Sequence, residues 1–184
     1  MCDKNNIDWM KRALGHLGFM DGKTVLEVGC RNINGSLKDI IKAHFPIYVG
    51  CDIEAGEEVD IVLDATKLVD FYGDRAFDMV VTANTFEHIE DWRLAISNIK
   101  RVVAEDGYII FIVPSVWEYH EYPGDYWRYS VNDVQNIFAD CRIESIEEMG
   151  DNPNQVGVYA IIRKPVGFKE IDLSNYNLGE PVQP

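Results

Sequence analysis

The sequence predicts an α/β fold in which helices cover both faces of a central sheet. Short apolar runs alternate along the 184 residues with amphipathic segments of helical spacing. Runs such as TVLEV and IIFIV are mainly apolar, as in strands buried on both faces of a parallel sheet. The last two runs are separated only by GDNPNQ, too short for a crossover helix, so this pair is expected to be antiparallel. The predicted fold is a Rossmann-like doubly wound seven-stranded sheet, mainly parallel with a C-terminal antiparallel hairpin.

The first predicted element is an amphipathic helix from Ile7 to Leu17, which either closes over a cofactor as a lid or packs on the sheet edge. Residues 1–22 form this N-terminal segment, 23–164 the main domain and 165–184 an extended or partly disordered extension. Seven strands are predicted in the main domain, in chain order KTVLEV, IYVGCD, VDIVLD, FDMVVTAN, YIIFIVP, RIESIEEM and VGVYAIIRK.

Three helices are predicted between these strands. The segment NGSLKDIIKAHF has Asn34 or Ser36 as its cap, because both side chains can accept a hydrogen bond from the first turn. The segment DWRLAISNIKRVVAEDG begins at an Asp91 cap and stops at Gly107. The third helix, SVNDVQNIFADC, follows a long aromatic loop.

The composition argues against two classes of protein, nucleic-acid-binding proteins and membrane-spanning proteins. A net charge of −14 argues against a general nucleic-acid-binding protein, because phosphate contacts need clustered Lys and Arg. No apolar run is long enough for a membrane span, and the N-terminus shows no apolar core followed by a cleavage site. We therefore expect a cytoplasmic monomer or homodimer without nucleic-acid or membrane partners.

The cysteines form no metal-binding pattern. There is no C-x-x-C and no paired Cys/His cluster, so no metal is expected. Small, reduced and mostly buried side chains are expected at Cys2, Cys30, Cys51 and Cys141.

The stretch TVLEVGCRNINGSLKDII, residues 24–41, has the strand, glycine and helix of a cofactor loop. Ligands of open α/β sheets bind at the carboxyl ends of the strands, where Gly29 lets the backbone approach a ligand closely. Asp52 ends the second strand 23 residues after Gly29. A carboxylate at that place can accept hydrogen bonds from both hydroxyls of a ribose.

The glycine pattern of this loop argues against a dinucleotide cofactor. A dinucleotide pyrophosphate requires G-x-G-x-x-G, but the three positions hold Gly29, Arg31 and Asn34. A cofactor with an adenosine and no phosphate does not impose that pattern. S-adenosylmethionine is such a cofactor, with a carboxylate, an ammonium and a sulfonium.

From Thr24 to Lys164 the chain resembles the class I SAM-dependent methyltransferases, in the broad group called type 11. The resemblance is carried in order by VLEVGCRNINGS, YVGCDI, VDIVLDAT, FDMVVTANTFEHIEDW with its Glu87–His88 pair, and RVVAEDGYIIFIVP. The sequence departs from the family at Arg31 and Ile33, where glycines are common. The resemblance implies that the cofactor-binding residues are Glu27, Gly29, Cys30, Arg31, Asp52, Ile53, Asp64, Ala65 and Asn84.

The resemblance to the family implies specific roles for three of these residues. Glu27 receives the methionine ammonium, directly or through water, Asp52 binds the ribose, and Asp64 lies with Ala65 against the adenine. Each has a plainer alternative. Glu27 is otherwise a capping or surface carboxylate, although a charge at the end of an apolar strand needs a partner. Asp64 is otherwise the start of a helix.

Two histidines are candidate catalytic bases for a hydroxyl acceptor. His88 follows the fourth strand, and His120 lies in the loop after the fifth strand, both at the expected ligand edge. His16 and His44 fall on predicted helices and are expected to be ordinary surface or partly buried residues.

The loop PSVWEYHEYPGDYWRYS is longer and more aromatic than a plain connection needs. Aromatic rings with a few polar groups suit a substrate cover, so Tyr122, Asp125, Tyr126 and Arg128 are candidate substrate-binding residues. The alternative is that the loop packs on the helix near Ser130 and that Asp125 pairs with Arg128. The pattern H-x-x-P-x-D-x-x-R also resembles loops of methyltransferases in glycan and polysaccharide pathways.

The leading interpretation is a methyltransferase that uses S-adenosylmethionine and a small-molecule acceptor, an oxygen of a sugar, glycan precursor or other hydroxylated metabolite. A non-catalytic SAM-binding protein and an NAD-dependent oxidoreductase remain alternatives. A nucleic-acid amine methyltransferase is disfavoured, because TANTFEH lacks the Asn/Asp-Pro-Pro-aromatic motif after the fourth strand.

Overall fold

The computed structural model describes residues 4–18, 21–120 and 124–179. Its helices are α1 Lys4–Leu17, α2 Lys38–Lys42, α3 Leu68–Tyr72, α4 Trp92–Val102 and α5 Val131–Ile137, with 3-10 turns at Ala65–Lys67 and Phe86–His88. Its strands are β1 Thr24–Val28, β2 Ile47–Asp52, β3 Ile61–Val62, β4 Phe77–Ala83, β5 Val103–Val116, β6 Arg142–Asn152 and β7 Gln155–Arg163.

The strands form one sheet in the order β3-β2-β1-β4-β5-β7-β6. The pairs β1–β2, β1–β4, β2–β3 and β4–β5 are parallel, whereas β5–β7 and β6–β7 are antiparallel. The predicted fold class, including the antiparallel hairpin, is confirmed. The order reverses beside β1, which places the ends of β1, β2 and β4 together at one edge.

Both faces of the sheet are covered. On one face, Val25 and Met79 pack against α1 and α2, and on the other, Leu26 and Val80 pack against α4. Neighbouring strand residues therefore enter different cores, which explains why the strand sequences are nearly continuous apolar runs. None of the helices within the described ranges is long and apolar enough to span a membrane.

Helix α1 packs on the sheet. Trp9 and Met10 are buried in the core that α1 shares with α2, and the Trp9 indole donates a hydrogen bond to Glu147 of β6 at 2.5 Å. The packing alternative for this helix is therefore observed. A lid role stays a prediction.

The helix predicted from DWRLAISNIKRVVAEDG begins as expected but ends early. Asp91 caps it by accepting a hydrogen bond from the Leu94 N–H at 3.2 Å. It ends at Val102, because Val103 pairs with Phe77 and starts β5. Gly107 lies within β5 instead of stopping the helix, and a Cβ there would lie 2.6 Å from the Asp78 carbonyl oxygen.

Two other helices differ from the prediction. Helix α2 is short and its N-cap is Leu37, so the prediction of Asn34 or Ser36 as the cap is wrong. The Ser36 hydroxyl, one residue before the cap, accepts a hydrogen bond from the Lys38 N–H at 3.0 Å. Helix α3 follows the turn at Ala65–Lys67 and was not predicted, since its few residues are too short for a periodic pattern.

The extension is ordered against α4 and α5 as far as residue 179. Leu173 and Leu178 are buried in the same core as α4. The Arg93 guanidinium donates to the carbonyl oxygens of Leu173 and Tyr176, and the Tyr176 hydroxyl donates to Asp133 at 2.7 Å. The described part of this segment is docked on the domain.

Candidate cofactor and acceptor site

A cavity of about 580 Å³ opens at the carboxyl ends of β1, β2 and β4. The predicted site residues that line it are Gly29, Arg31, Asp52, Ile53, Asp64, Ala65, Asn84, His88, His120 and Tyr126. Four others, Glu27, Cys30, Asp125 and Arg128, lie off its wall. Tyr122 falls outside the described residues.

The first wall is the turn after β1. Gly29 has φ +78°, and its N–H and that of Cys30 both donate to the Cys51 carbonyl oxygen of β2, at 2.8 and 3.1 Å. A Cβ on Gly29 would lie 2.0 Å from Oγ1 of Thr85, in the loop after β4. Only glycine fits this position, because both the backbone conformation and the close approach of Thr85 exclude a side chain.

Asp52 lies at the end of β2 and faces the same turn. Its carboxylate accepts hydrogen bonds from the Arg31 N–H at 3.2 Å and the Glu54 N–H at 3.1 Å. The Arg31 guanidinium forms an ion pair with Glu54. At the position where the family commonly has glycine, Arg31 therefore ties the loop after β1 to the loop after β2. Ile33, the other departure, lines the cavity with half of its surface exposed.

Glu27 is buried, with 5% of its surface exposed, so the surface-carboxylate alternative is wrong. Its only strong partner among the described residues is the Tyr48 hydroxyl, which donates to Oε2 at 2.6 Å. Burial raises the pKa of Glu27 to about 7, although the Tyr48 hydrogen bond opposes the shift. The neighbouring Cys30 is also buried, and burial raises the pKa of its thiol well above the usual range.

The adenine-side candidates follow β3. The Asp64 carboxylate accepts hydrogen bonds from the N–H and the hydroxyl of Thr66, both at 2.8 Å, and so caps the 3-10 turn. Asp64 and the mostly buried Ala65 also line the cavity. The helix-start alternative and the cavity position are thus both observed. The exposed Ile53 lies on the same wall.

Asn84 follows β4 with φ +50°, a left-handed conformation that Asn tolerates better than most residues. Its N–H donates to the Ile112 carbonyl oxygen at 2.9 Å, which continues the β4–β5 pairing. This turn directs the chain across the cavity toward the Phe86–His88 turn.

The opposite wall holds both candidate histidines. The rings of His88 and His120 meet edge to face, with centroids 5.2 Å apart. Nδ1 of His88 is hydrogen-bonded to the Gly124 carbonyl oxygen, and its Nε2 lies 3.7 Å from Oε1 of Glu87. Nδ1 of His120 lies 3.2 Å from Oδ2 of Asp125.

The aromatic loop packs on the domain and pairs Asp125 with Arg128, as the alternative to substrate binding predicted, although one of its residues reaches the cavity. Asp125 is buried and paired with Arg128 at 2.5 and 2.8 Å, and its Oδ2 accepts the His120 N–H. Trp127 and Tyr129 donate to backbone carbonyls of the segment 86–89. Of the substrate-binding candidates in the described ranges, Tyr126 alone reaches the cavity, while Asp125 and Arg128 shape the loop from behind.

Several wall residues were not predicted as site residues. They are Val28, Ile33, Glu54, Leu63, Thr66, Thr85, Ile89, Glu90, Asp91 and Leu94. Most lie next to a predicted site residue in the sequence, so they could have been predicted from their positions at the ends of strands. Ile89 to Leu94 continue the Glu87–His88 motif into α4, and only the three-dimensional turn brings them to the cavity.

A family model described as "Methyltransferase domain" matches residues 3–150. The chain belongs to this methyltransferase family. The predictions of a class I SAM-dependent methyltransferase and of S-adenosylmethionine as its cofactor are thereby confirmed at the level of the family, and the oxidoreductase alternative loses its support. No curated protein matches the sequence.

Solved methyltransferases share the fold at low identity. The N-methyltransferase NodS from Bradyrhizobium japonicum in complex with S-adenosylhomocysteine is 15% identical, with a TM-score of 0.67 over 88% of this chain and 87% of that one. A 1,6-didemethyltoxoflavin-N1-methyltransferase from Burkholderia thailandensis, also with S-adenosylhomocysteine, is 13% identical, with a TM-score of 0.67 over 89% and 80%. A putative methyltransferase bound to its activator Trm112 from Haloferax volcanii is 16% identical, with a TM-score of 0.65 over 85% and 90%.

Proposed function

We propose that this methyltransferase transfers a methyl group from S-adenosylmethionine to an oxygen of a small hydroxylated molecule, such as a sugar or glycan precursor. The observation that supports it best is the cavity in which Gly29 and Asp52 lie side by side at the ends of β1 and β2. At Gly29 the backbone can come close to an adenosyl ligand, and at Asp52 a carboxylate can accept hydrogen bonds from the ribose hydroxyls.

The described residues fit the cofactor. Asp52 would accept hydrogen bonds from the ribose, and Ile53, Asp64 and Ala65 would hold the adenine against a mixed apolar and polar wall. Glu27 would attract the methionine ammonium from below the turn at Gly29. Its pKa of about 7 suits this role, because a nearby cation stabilises the ionised form of a buried carboxyl group.

When bound, the cofactor supplies an electrophilic methyl group attached to a sulfonium sulfur. That sulfur is a good leaving group because it departs as a neutral thioether. The acceptor oxygen would bond to that methyl carbon as the thioether leaves with the C–S electron pair, and the acceptor would lose a proton. The chain's own contribution is to hold both reactants in line and to exclude water. The histidine wall faces the space left for an acceptor, and a general-base role for His88 or His120 stays a prediction.

An uncharged acceptor suits the electrostatics. Carboxylates of Glu54, Glu90 and Asp91 lie on the cavity wall, and the one guanidinium there, on Arg31, is paired with Glu54. An anionic acceptor would be repelled by these groups and by the net charge of −14. Hydroxyl groups, in contrast, can donate hydrogen bonds to carboxylates.

The same carboxylates favour a second candidate, an amine acceptor. Glu90 and Asp91 would attract an ammonium group to the cavity, and two of the similar structures are N-methyltransferases. A screen with matched alcohol and amine pairs of the same carbon skeleton separates the two candidates. Methylation of the alcohols supports oxygen transfer, and methylation of the amines alone replaces it.

Calorimetric titration of S-adenosylmethionine, S-adenosylhomocysteine and NAD tests the cofactor site. We expect micromolar binding of the two adenosyl ligands and loss of that binding in Asp52→Ala. The matched control is Asp70→Ala, an exposed aspartate of α3 away from the cavity, which should bind as the wild type does. Binding of NAD alone would overturn the proposal, and adenosyl binding without turnover of any acceptor would support the non-catalytic alternative. A cytoplasmic monomer or homodimer stays the expected form.

A further inference from the structure

We propose that Glu87, His88 and His120 bind one divalent transition-metal ion on the acceptor side of the cavity. Each of the three side chains offers one ligand atom, and these atoms all lie within 4.8 Å of one another. The sequence predicted no metal, because the ligands come from a 3-10 turn after β4 and a loop more than thirty residues later. This inference rests on the proposed function for its purpose but not for its test.

The two histidines are already held in the tautomer that a metal needs. Nδ1 of His88 is hydrogen-bonded to the carbonyl oxygen of Gly124, which can only accept, so in the neutral ring Nδ1 carries the proton and Nε2 has the free lone pair. Nε2 is also the atom that faces Glu87, at 3.7 Å from Oε1. A metal-binding imidazole that donates its other N–H to a backbone carbonyl is the usual arrangement in proteins.

His120 has the second common arrangement. Its Nδ1 lies 3.2 Å from the Asp125 carboxylate and 3.0 Å from the Glu118 carbonyl oxygen, both acceptors. Asp125 is itself fixed by two contacts to the Arg128 guanidinium. A carboxylate behind an imidazole orients the ring and raises its basicity as a ligand. The Asp125–Arg128 pair, unexplained by substrate contact, thus acquires a role in positioning His120.

Glu87 supplies the anionic ligand. Its side chain is 1% exposed, and Oε2 is buried without any hydrogen-bond partner among the described residues. A buried carboxylate oxygen without a partner is costly, and a cation between Glu87 and the two rings would satisfy it. The backbone of Glu87 is fixed as well, since its carbonyl oxygen accepts the Tyr126 N–H at 2.7 Å.

Two imidazoles and one carboxylate favour Zn²⁺, Co²⁺ or Mn²⁺ over Ca²⁺ and Mg²⁺, which prefer oxygen ligands. Three protein ligands leave coordination positions open, and both histidines face the cavity. An acceptor hydroxyl bound there would become more acidic, so its proton passes to solvent and the oxygen attacks as an alkoxide. In this arrangement the histidines hold the metal and do not act as bases.

The test is titration of Zn²⁺ and Co²⁺ into the chelator-treated full chain, by calorimetry and by the visible absorption of bound Co²⁺. We expect one site per chain with Co²⁺ bands typical of nitrogen and oxygen ligands. The variants are His120→Ala, whose side chain is 26% exposed and least able to disturb folding, and Glu87→Gln, which keeps the volume of the buried side chain. His16→Ala, an exposed histidine of α1, is the matched control.

Loss of the site in His120→Ala and Glu87→Gln, with His16→Ala unchanged, would support the proposal. Asp125→Asn should weaken the site by roughly 10–100-fold, as for other carboxylates that accept a hydrogen bond from a metal-bound histidine. Absence of binding in the wild type, or binding that both ligand variants retain, would overturn the proposal and leave Glu87 and His88 as an ion pair. S-adenosylhomocysteine binding, measured on the same samples, reports folding and the cofactor site, so a failure there counts against the proposed function and not against the metal site.

Discussion

The Tyr48 hydroxyl of β2 donates a hydrogen bond to Oε2 of Glu27 in the neighbouring strand β1, at 2.6 Å. This contact joins the two strands whose ends form the cofactor side of the cavity. It also accounts for how a carboxyl group survives at the end of an apolar strand, since a buried acid needs a hydrogen-bond donor.

The raised pKa of Glu27 predicts a pH-dependent stability. The folded chain keeps a proton on Glu27 up to about pH 7, whereas the unfolded chain releases it near the ordinary value of 4.5. This contribution is therefore full at low pH and decreases, by about 3 kcal/mol in total, as the pH rises from 4.5 through 7. Glu27→Gln keeps an acceptor for Tyr48 and cannot ionise. Urea unfolding at pH 5 and pH 8 should show the variant gaining stability relative to the wild type at the higher pH, and an equal difference at both would contradict the prediction.

The affinity for the cofactor should also depend on the ionisation of Glu27, but it should rise with pH, whereas the stability contribution falls. If Glu27 receives the methionine ammonium, binding requires the ionised form, so the affinity for S-adenosylhomocysteine should fall by about tenfold for each pH unit below 7. Calorimetry between pH 5.5 and 7 measures this, and Glu27→Gln should bind more weakly and without the pH dependence. A wild-type affinity that is flat across this range would remove Glu27 from the ammonium site.

Gly29→Ala should destabilise the fold by about 2 kcal/mol or more. The new Cβ combines a strained positive φ with an overlap against Thr85, and each costs of the order of 1–3 kcal/mol. Gly15→Ala in α1 is the matched control, because nothing lies within 4 Å of its position and alanine favours a helix by about 1 kcal/mol. Thermal unfolding should shift in opposite directions for the two variants. A Gly29→Ala variant as stable as the wild type would show that the turn relaxes.

Arg93→Ala should release the extension from α4. The guanidinium holds two tail carbonyls and the Asn177 side chain, and loss of these charge-assisted contacts should cost about 2 kcal/mol. Hydrogen exchange of residues 165–179 is expected to accelerate, while the sheet stays protected. Arg142→Ala, at an arginine with 71% of its side chain exposed, serves as the control and should change stability by less than about 0.5 kcal/mol. Unchanged exchange in the tail would mean that Leu173 and Leu178 suffice to hold it.

The sequence contained most of the fold because the periodicities of helix and strand differ and most elements are long enough to show them. The hairpin could be predicted from the six residues GDNPNQ alone. The end of α4 could not, because a helical pattern continues past Val102 and only the pairing of Val103 with Phe77 ends it. Gly107, the predicted end of the helix, is instead a glycine because the Asp78 backbone lies too close to it for a side chain.

The candidate site divides in the same way. Residues at strand ends, such as Gly29 and Asp52, were predictable because their positions in the chain determine their position in the sheet. The contact between His88 and His120 depends on how two loops fold, and no spacing encodes it. The same is true of Asp125 and Arg128, whose spacing allowed either substrate contact or a mutual pair.

Strand β7 is made after β6 but lies between β6 and β5 in the sheet. During synthesis, β6 therefore has no partner strand until residues 155–163 have emerged, and β5 keeps one edge unpaired for the same period. Unpaired strand edges are sites of aggregation. Nascent chains that stall after β6 should thus be the form of this protein most dependent on chaperones, and completion of β7 should end that dependence in one step.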